Sequence, residues 1–152
     1  MAKKKGIKII AENRRARREY NILEKLEAGL VLAGTEVKSL RTGRANLAQS
    51  YVRVVDGEAY IVGFHISPYE HGNRYNLDPL RDRKLLLHKR EISRLYQQVT
   101  QEGLTIIPLS IYFRDGLAKL EIALARGKKL YDHREDEAKR AAEREMARRR
   151  DQ

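Results

Sequence analysis

Two Asp-Gly dipeptides, Asp56-Gly57 and Asp115-Gly116, each sit between stretches whose large apolar side chains recur at every second position. Asp-Gly accepts the consecutive positive φ angles of a type I′ turn, whose twist matches that of paired strands, so each dipeptide predicts a β-hairpin. In the first, Ser50 to Val55 leads into Glu58 to Ile66, where Tyr60, Val62, Phe64 and Ile66 alternate with Ala59, Ile61, Gly63 and His65. In the second, Ile107, Leu109, Ile111 and Phe113 precede the turn, Leu120, Ile122 and Leu124 follow it, and Lys119 and Glu121 fall in the outward set. Pro108 lacks an amide hydrogen, which predicts an edge strand or one that begins after a bulge. Ile22 to Leu32 is a further extended stretch.

Between the hairpins, Ile92, Leu95, Tyr96 and Val99 fall at i, i+3, i+4 and i+7, the spacing of a helix whose apolar stripe covers a sheet, with Gly103 as its terminator. Thr35 is the expected N-cap of a short helix through Leu40, closed by Gly43. Another short helix is expected from Asn13 to Tyr20, where Arg14, Arg15, Arg17 and Arg18 make a basic surface. Short strands, long hairpins and about three short embedded helices predict a mainly β fold, a small antiparallel barrel. Ser67 to Asp82 is its longest loop.

Charge narrows the function. The 152 residues hold 32 Lys plus Arg against 21 Asp plus Glu, a net charge of +11. Such an excess attracts polyanions, either nucleic acid or an anionic membrane surface. Residues 1–25 hold nine basic and three acidic groups, residues 26–125 thirteen and eleven, and residues 126–152 ten and seven. The middle stretch holds nearly all the large aliphatic side chains and is the expected folded body. No cysteine is present, which removes thiol catalysis and thiolate zinc modules and agrees with a reducing compartment. Lys8 and Glu12 interrupt the only apolar residues near the start, so no secretion signal is expected, and no apolar run is long enough to span a membrane. Cytoplasm is the expected location. The four histidines are scattered without metal-ligand spacing, and Gly127-Lys128-Lys129 lacks the rest of a phosphate-binding loop. No metal, cofactor or catalytic activity is expected.

RNA is held by cations together with exposed rings on which bases stack. Tyr20, Tyr51, Tyr69, Tyr75 and Tyr131 lie in basic or loop surroundings, whereas Tyr60, Tyr96 and Tyr112 are expected to be half-buried with a wet hydroxyl. From Arg134 onward the chain is rich in helix formers, and Glu135 with Lys139, Asp136 with Arg140 and Glu145 with Arg149 are favourable i, i+4 pairs. At about 0.2–0.5 kcal/mol each they do not secure a short helix alone. The tail is therefore expected to be disordered when free and helical when bound.

Several motifs, in order along the chain, closely resemble the small protein B (SmpB) family, which binds transfer-messenger RNA (tmRNA). They are Glu12-Asn13-Arg14-Arg15-Ala16-Arg17, Glu27-Ala28-Gly29-Leu30, Gly34-Thr35-Glu36-Val37-Lys38-Ser39-Leu40-Arg41, Asn46-Leu47 with Ser50-Tyr51, Arg83-Lys84-Leu85-Leu86-Leu87, and Gly127-Lys128-Lys129 with Asp132 and Arg134. The resemblance implies a barrel of oligonucleotide-binding (OB) type and a bacterial, ribosome-associated rescue factor for trans-translation rather than an enzyme. It implies a basic arm (residues 1–12), a body (13–126) that binds the tRNA-like domain of tmRNA, and a tail (127–152) that folds on the ribosome. By motif, Glu27, Leu86 and Lys119 resemble RNA-binding positions, with Asn13, Arg15, Arg17, Tyr20, Lys38, Arg41 and Tyr51 as further contacts. Leu86 would otherwise be a buried strand residue, and Glu27 either accepts hydrogen bonds from RNA or orients a neighbouring arginine.

For the tail, the resemblance implies that Lys128, Lys129, Tyr131, Asp132, His133 and Arg134 meet the decoding centre of the small subunit and that the rest enters the empty mRNA channel. His133 departs from the family, which usually has Lys or Arg there. Implied partners are tmRNA, the ribosome and elongation factor Tu, with the protein monomeric and away from membranes. A nonspecific OB-type RNA or DNA chaperone is the alternative.

Overall fold

The computed structural model describes residues 7–69, 77–128 and 141–146. In chain order the elements are β1 (Ile7–Glu12), α1 (Ala16–Glu19), β2 (Tyr20–Leu30), α2 (Gly34–Arg41), β3 (Ala45–Asn46), β4 (Tyr51–Val55), β5 (Glu58–Val62), β6 (His65–Ile66), β7 (Arg83–Leu86), α3 (Lys89–Glu102), β8 (Thr105–Arg114) and β9 (Leu117–Gly127). Six strands form a closed antiparallel ring in the order β8-β4-β5-β7-β2-β9, with β9 returning to β8. β1 adds to β8 outside the ring, and β3 pairs separately with β6. This is the OB-like, mainly β architecture the sequence predicts.

The ring is closed by alternation. Ala28, Leu30, Ile61, Leu85, Ile106, Ile111, Leu120 and Ile122 point inward and are almost wholly buried. Each large aliphatic side chain so placed contributes about 1.5–3 kcal/mol. Both Asp-Gly turns take the expected conformation, with φ of 50° and 76° at Asp56 and Gly57 and 51° and 81° at Asp115 and Gly116. Val55 pairs with Glu58 and Arg114 with Leu117, as two-residue loops require. The α3 helix lays Ile92 and Leu95 on the core and ends at Gly103 in the left-handed conformation.

Elsewhere the structure departs from local expectation. The first hairpin's second arm is not continuous: Gly63, at φ 78°, separates β5 from β6. The inward set moves there from Ala59 and Ile61 to Phe64 and Ile66. A Cβ at Gly63 would lie 3.0 Å from the Gln49 carbonyl oxygen, so a side chain there would crowd that backbone in addition to straining the positive φ. Pro108 is not in an edge strand, because β8 has neighbours on both sides and begins upstream of it, at Thr105. It sits instead at a bulge between Pro108 and Ser110, and the carbonyls there are used by Asn13, which donates its backbone N–H to Leu109 O (2.7 Å) and Nδ2 to Pro108 O (3.0 Å).

The helix expected from Asn13 to Tyr20 is a single turn, since Tyr20 already belongs to β2. Ala33, not Thr35, is the N-cap of α2, and its N–H donates to Glu36 Oε1 at 2.9 Å. Tyr96 is 52% exposed, half-covered at the edge of the α3 stripe, where it lines depressions with Val54 of β4 and Ile106 of β8. Residues 7–12 of the basic arm are a strand of the body, paired with β8 through Ile7–Arg114 and Glu12–Ser110.

Candidate nucleic-acid interface

With Ala28, Leu120 and Ile111 inside, period two places Glu27, Gly29, Lys119, Glu121, Tyr112 and Arg114 on the outer face of β2, β9 and β8. The register aligns them. Gly29 is opposite Leu86 on one side and Lys119 on the other; Lys119 is opposite Tyr112, and Tyr112 opposite Ile9. Leu86, Gly29, Lys119, Tyr112 and Ile9 thus form one row across five strands, with Glu27 and Glu121 in the neighbouring row. At about 4.8 Å between strands, Leu86 and Tyr112 are roughly 14 Å apart along it.

Leu86 is 55% exposed, which excludes the buried-strand reading of that residue. Its position depends on the glycine beside it: a Cβ at Gly29 would lie 3.0 Å from Leu86 Cβ and 3.3 Å from its Cδ1. Glu27 accepts hydrogen bonds from the Tyr112 hydroxyl and, at Oε1, from Arg114 Nη1 (3.1 Å), whose ion-pair distance to Oε2 is 2.9 Å. The Arg114 guanidinium also lies over the Tyr112 ring, 5.8 Å from its centre. Burial pushes the Tyr112 hydroxyl well above its ordinary pKa, and the hydrogen bond to the Glu27 carboxylate pushes it further. It remains a proton donor to Glu27 at neutral pH. At 7% exposed Tyr112 is more deeply buried than the half-buried position expected of it, and its hydroxyl donates to the Glu27 carboxylate.

A second group forms where α1 meets β2. Asn13, Arg15, Tyr20 and Tyr51 line a depression of about 340 Å³ together with Gln49 and Ser50. Tyr20 rests on a small apolar cluster of Ala16, Ile107, Leu109, Ala123 and Ala125, outside the main core. The chain leaves the body beside it, because Gly127 pairs with Tyr20 and Lys128 donates its N–H to Glu19 O at 2.8 Å. Seven steps along β2 take the chain from Tyr20 to Glu27, roughly 23 Å of strand.

Lys38 and Arg41, both exposed, share one face of α2. The Lys38 ammonium lies 5.7 Å from the Tyr69 ring centre and the Arg41 guanidinium 5.8 Å from that of Phe113. Arg17 is exposed on α1 but does not line the depression. Of the tail, Gly127, Lys128 and residues 141–146 are described, the last helical and exposed; Lys129, Tyr131, Asp132, His133 and Arg134 lie outside the described residues.

The structure therefore gathers Glu27, Leu86 and Lys119 on one face and Asn13, Arg15, Tyr20 and Tyr51 in one depression. Sequence reasoning did not single out Arg114, Tyr112 or Ile9 for the first group. For Tyr112 and Arg114 a signal existed, since both belong to the outward set of β8. Ile9 carried none, because its partner strand is distant in sequence.

Comparison with known proteins adds a separate line of observation. The family model described as SmpB protein matches residues 10–152. The chain is 62% identical over 149 residues to the SsrA-binding protein of Syntrophomonas wolfei subsp. wolfei, covering 97% of this chain and 95% of the relative. It is 60% identical over 141 residues to the SsrA-binding protein of Desulforudis audaxviator, covering 93% and 92% respectively. A chain from the solved structure described as "tmRNA-SmpB: a journey to the center of the bacterial ribosome" superposes with a TM-score of 0.66 at 55% identity, covering 79% of this chain and 85% of that one.

Proposed function

Since this chain belongs to the SmpB protein family, we propose that it is a tmRNA-binding factor of bacterial ribosome rescue. Its body grips the tRNA-like domain of tmRNA, and its tail enters the vacant mRNA channel of a stalled ribosome near the decoding centre. The observation that carries the body's part is the convergence of Glu27, Leu86 and Lys119, from three different strands, on one outward face. An exposed leucine beside a cation and a hydrogen-bonded carboxylate suits the shape and the 2′-hydroxyl and phosphate groups of a folded RNA, not a base sequence. Asn13, Arg15, Tyr20 and Tyr51 extend the contact, and Arg17, Lys38 and Arg41 add charge around it. The protein is a cytoplasmic monomer that acts as a binding factor, not an enzyme, and travels with elongation factor Tu and alanyl-tmRNA. Lys128, Lys129, Tyr131, Asp132, His133 and Arg134 form the decoding-centre end of the tail.

Gel-shift titration against the tRNA-like domain of tmRNA, an ordinary tRNA and duplex DNA tests this reading. A clear preference for the first is expected. With roughly five phosphates neutralised, log affinity should fall against log salt with a slope of about −4 to −5. Equal affinity for all three at moderate salt would replace specific recognition with the nonspecific chaperone.

A further inference from the structure

We propose that Arg114 contacts an RNA phosphodiester on the outer face of β2, β9 and β8, and that Glu27 and Tyr112 are its positioning residues. The proposal rests on the reading of this face as an RNA surface. Glu27 and Glu121 lie opposite one another in register, so two carboxylates face any ligand that lands there, and Arg114 and Lys119 are the cations beside them. Near-neutral local charge does not attract phosphate. What matters is which groups project and in what orientation.

Three constraints fix the guanidinium. Nη1 is held by both Glu27 oxygens, the guanidinium carbon lies over the Tyr112 ring, and the backbone is that of the last residue before the two-residue turn, paired with Leu117. The Tyr112 hydroxyl fixes the Glu27 carboxylate in turn. Of five guanidinium N–H groups, the contacts of Arg114 with the described residues use only those on Nη1. The Nε and Nη2 donors remain, on a side chain 41% exposed to solvent. A planar fork held in advance loses little freedom when it takes a phosphate bidentately. Glu27 thereby has a role that does not require a carboxylate to touch RNA.

The test uses the full-length protein and a transcript of the tRNA-like domain of tmRNA, with affinity measured across a salt series. Arg114→Ala is expected to weaken binding about tenfold and to reduce the magnitude of the salt slope by about one. Arg114→Lys should retain the slope and recover only part of the affinity, because lysine keeps the charge and lacks the fork. Glu27→Gln should weaken binding although it removes a negative charge, and should have no further effect in an Arg114→Ala background. An unchanged slope for Arg114→Ala would overturn the proposal. So would a Glu27→Gln loss of equal size with and without Arg114, which would make Glu27 itself the RNA contact. Thermal melts of each variant separate these results from misfolding. If the wild-type protein binds duplex DNA as well as the transcript, specific recognition fails, while the slope comparison still decides the role of Arg114.

Discussion

Arg83 Nε donates to Glu36 Oε2 at 2.5 Å, joining positions 47 residues apart through side chains that are 1% and 6% exposed. Arg83 also donates Nη1 to Phe64 O (2.5 Å) and Nη2 to Pro79 O (2.9 Å), while Arg81 and the Ala33 N–H donate to the same carboxylate. One ion cluster therefore ties α2, the chain before β7 and the residue after Gly63. Glu36→Gln leaves the buried Arg83 without its counter-charge and should cost about 3–5 kcal/mol. The measurement is a shift of the urea midpoint at unchanged slope.

The same carboxylate sets an acid limit. Burial alone would raise the Glu36 pKa, but hydrogen bonds from Arg81, the Ala33 amide and Arg83 outweigh it and hold the pKa below its ordinary value. The folded state thus binds this proton less tightly than the unfolded chain. The stabilisation is intact above the ordinary carboxylate pKa and is lost as pH falls through the lower, folded value. Urea titrations between pH 7 and pH 3 should show stability falling at the acid end, with a smaller fall in Glu36→Gln.

Adjacent leucines of β7 should separate binding from folding. Leu85 is 1% exposed and Leu86 is 55% exposed. Leu85→Ala is expected to cost about 2–5 kcal/mol. Leu86→Ala should change stability by no more than about 0.5 kcal/mol and yet lower affinity for the tRNA-like transcript several-fold, read by parallel urea melts and gel shifts.

Gly29 has no turn to make, and its role is to leave space. Gly29→Ala places a methyl 3.0 Å from Leu86 Cβ, so the leucine must move. The strand gains about 0.5–1 kcal/mol of backbone preference from alanine, which offsets much of the crowding. Nearly unchanged stability with weakened RNA binding is the expected outcome.

Truncation after Lys128 keeps the Lys128 N–H to Glu19 O bond. The shortened protein should bind the tRNA-like transcript nearly as well as the full chain and lose ribosome-dependent tagging. Loss of both would contradict the division between body and tail.

The legible parts of this fold are those decided by neighbours in sequence. Asp56-Gly57 and Asp115-Gly116 carry their turn type in their own φ preferences, and Ile92, Leu95 and Gly103 mark α3 by spacing and termination. Less legible was β1, whose three isoleucines, interrupted by Lys8, look like part of a solvated arm until β8 pairs with them. Tyr96 fits the helical stripe, and whether it is covered depends on how wide a sheet lies beneath.

The candidate site divides in the same way. Its residue types were readable, down to the option that Glu27 orients an arginine, but which arginine was not. Alternation and turn stereochemistry are set within a few residues, so the sequence by itself determined two hairpins, a covering helix and a basic, mainly β body, with the OB type implied by the family resemblance. Only the tertiary structure decided that the ring closes through β8 and β9, that Pro108 bulges toward Asn13, and that Leu86, Gly29 and Lys119 share a row. Those facts depend on register between strands far apart in the chain, and register follows from which long-range pairing buries every inward side chain at once.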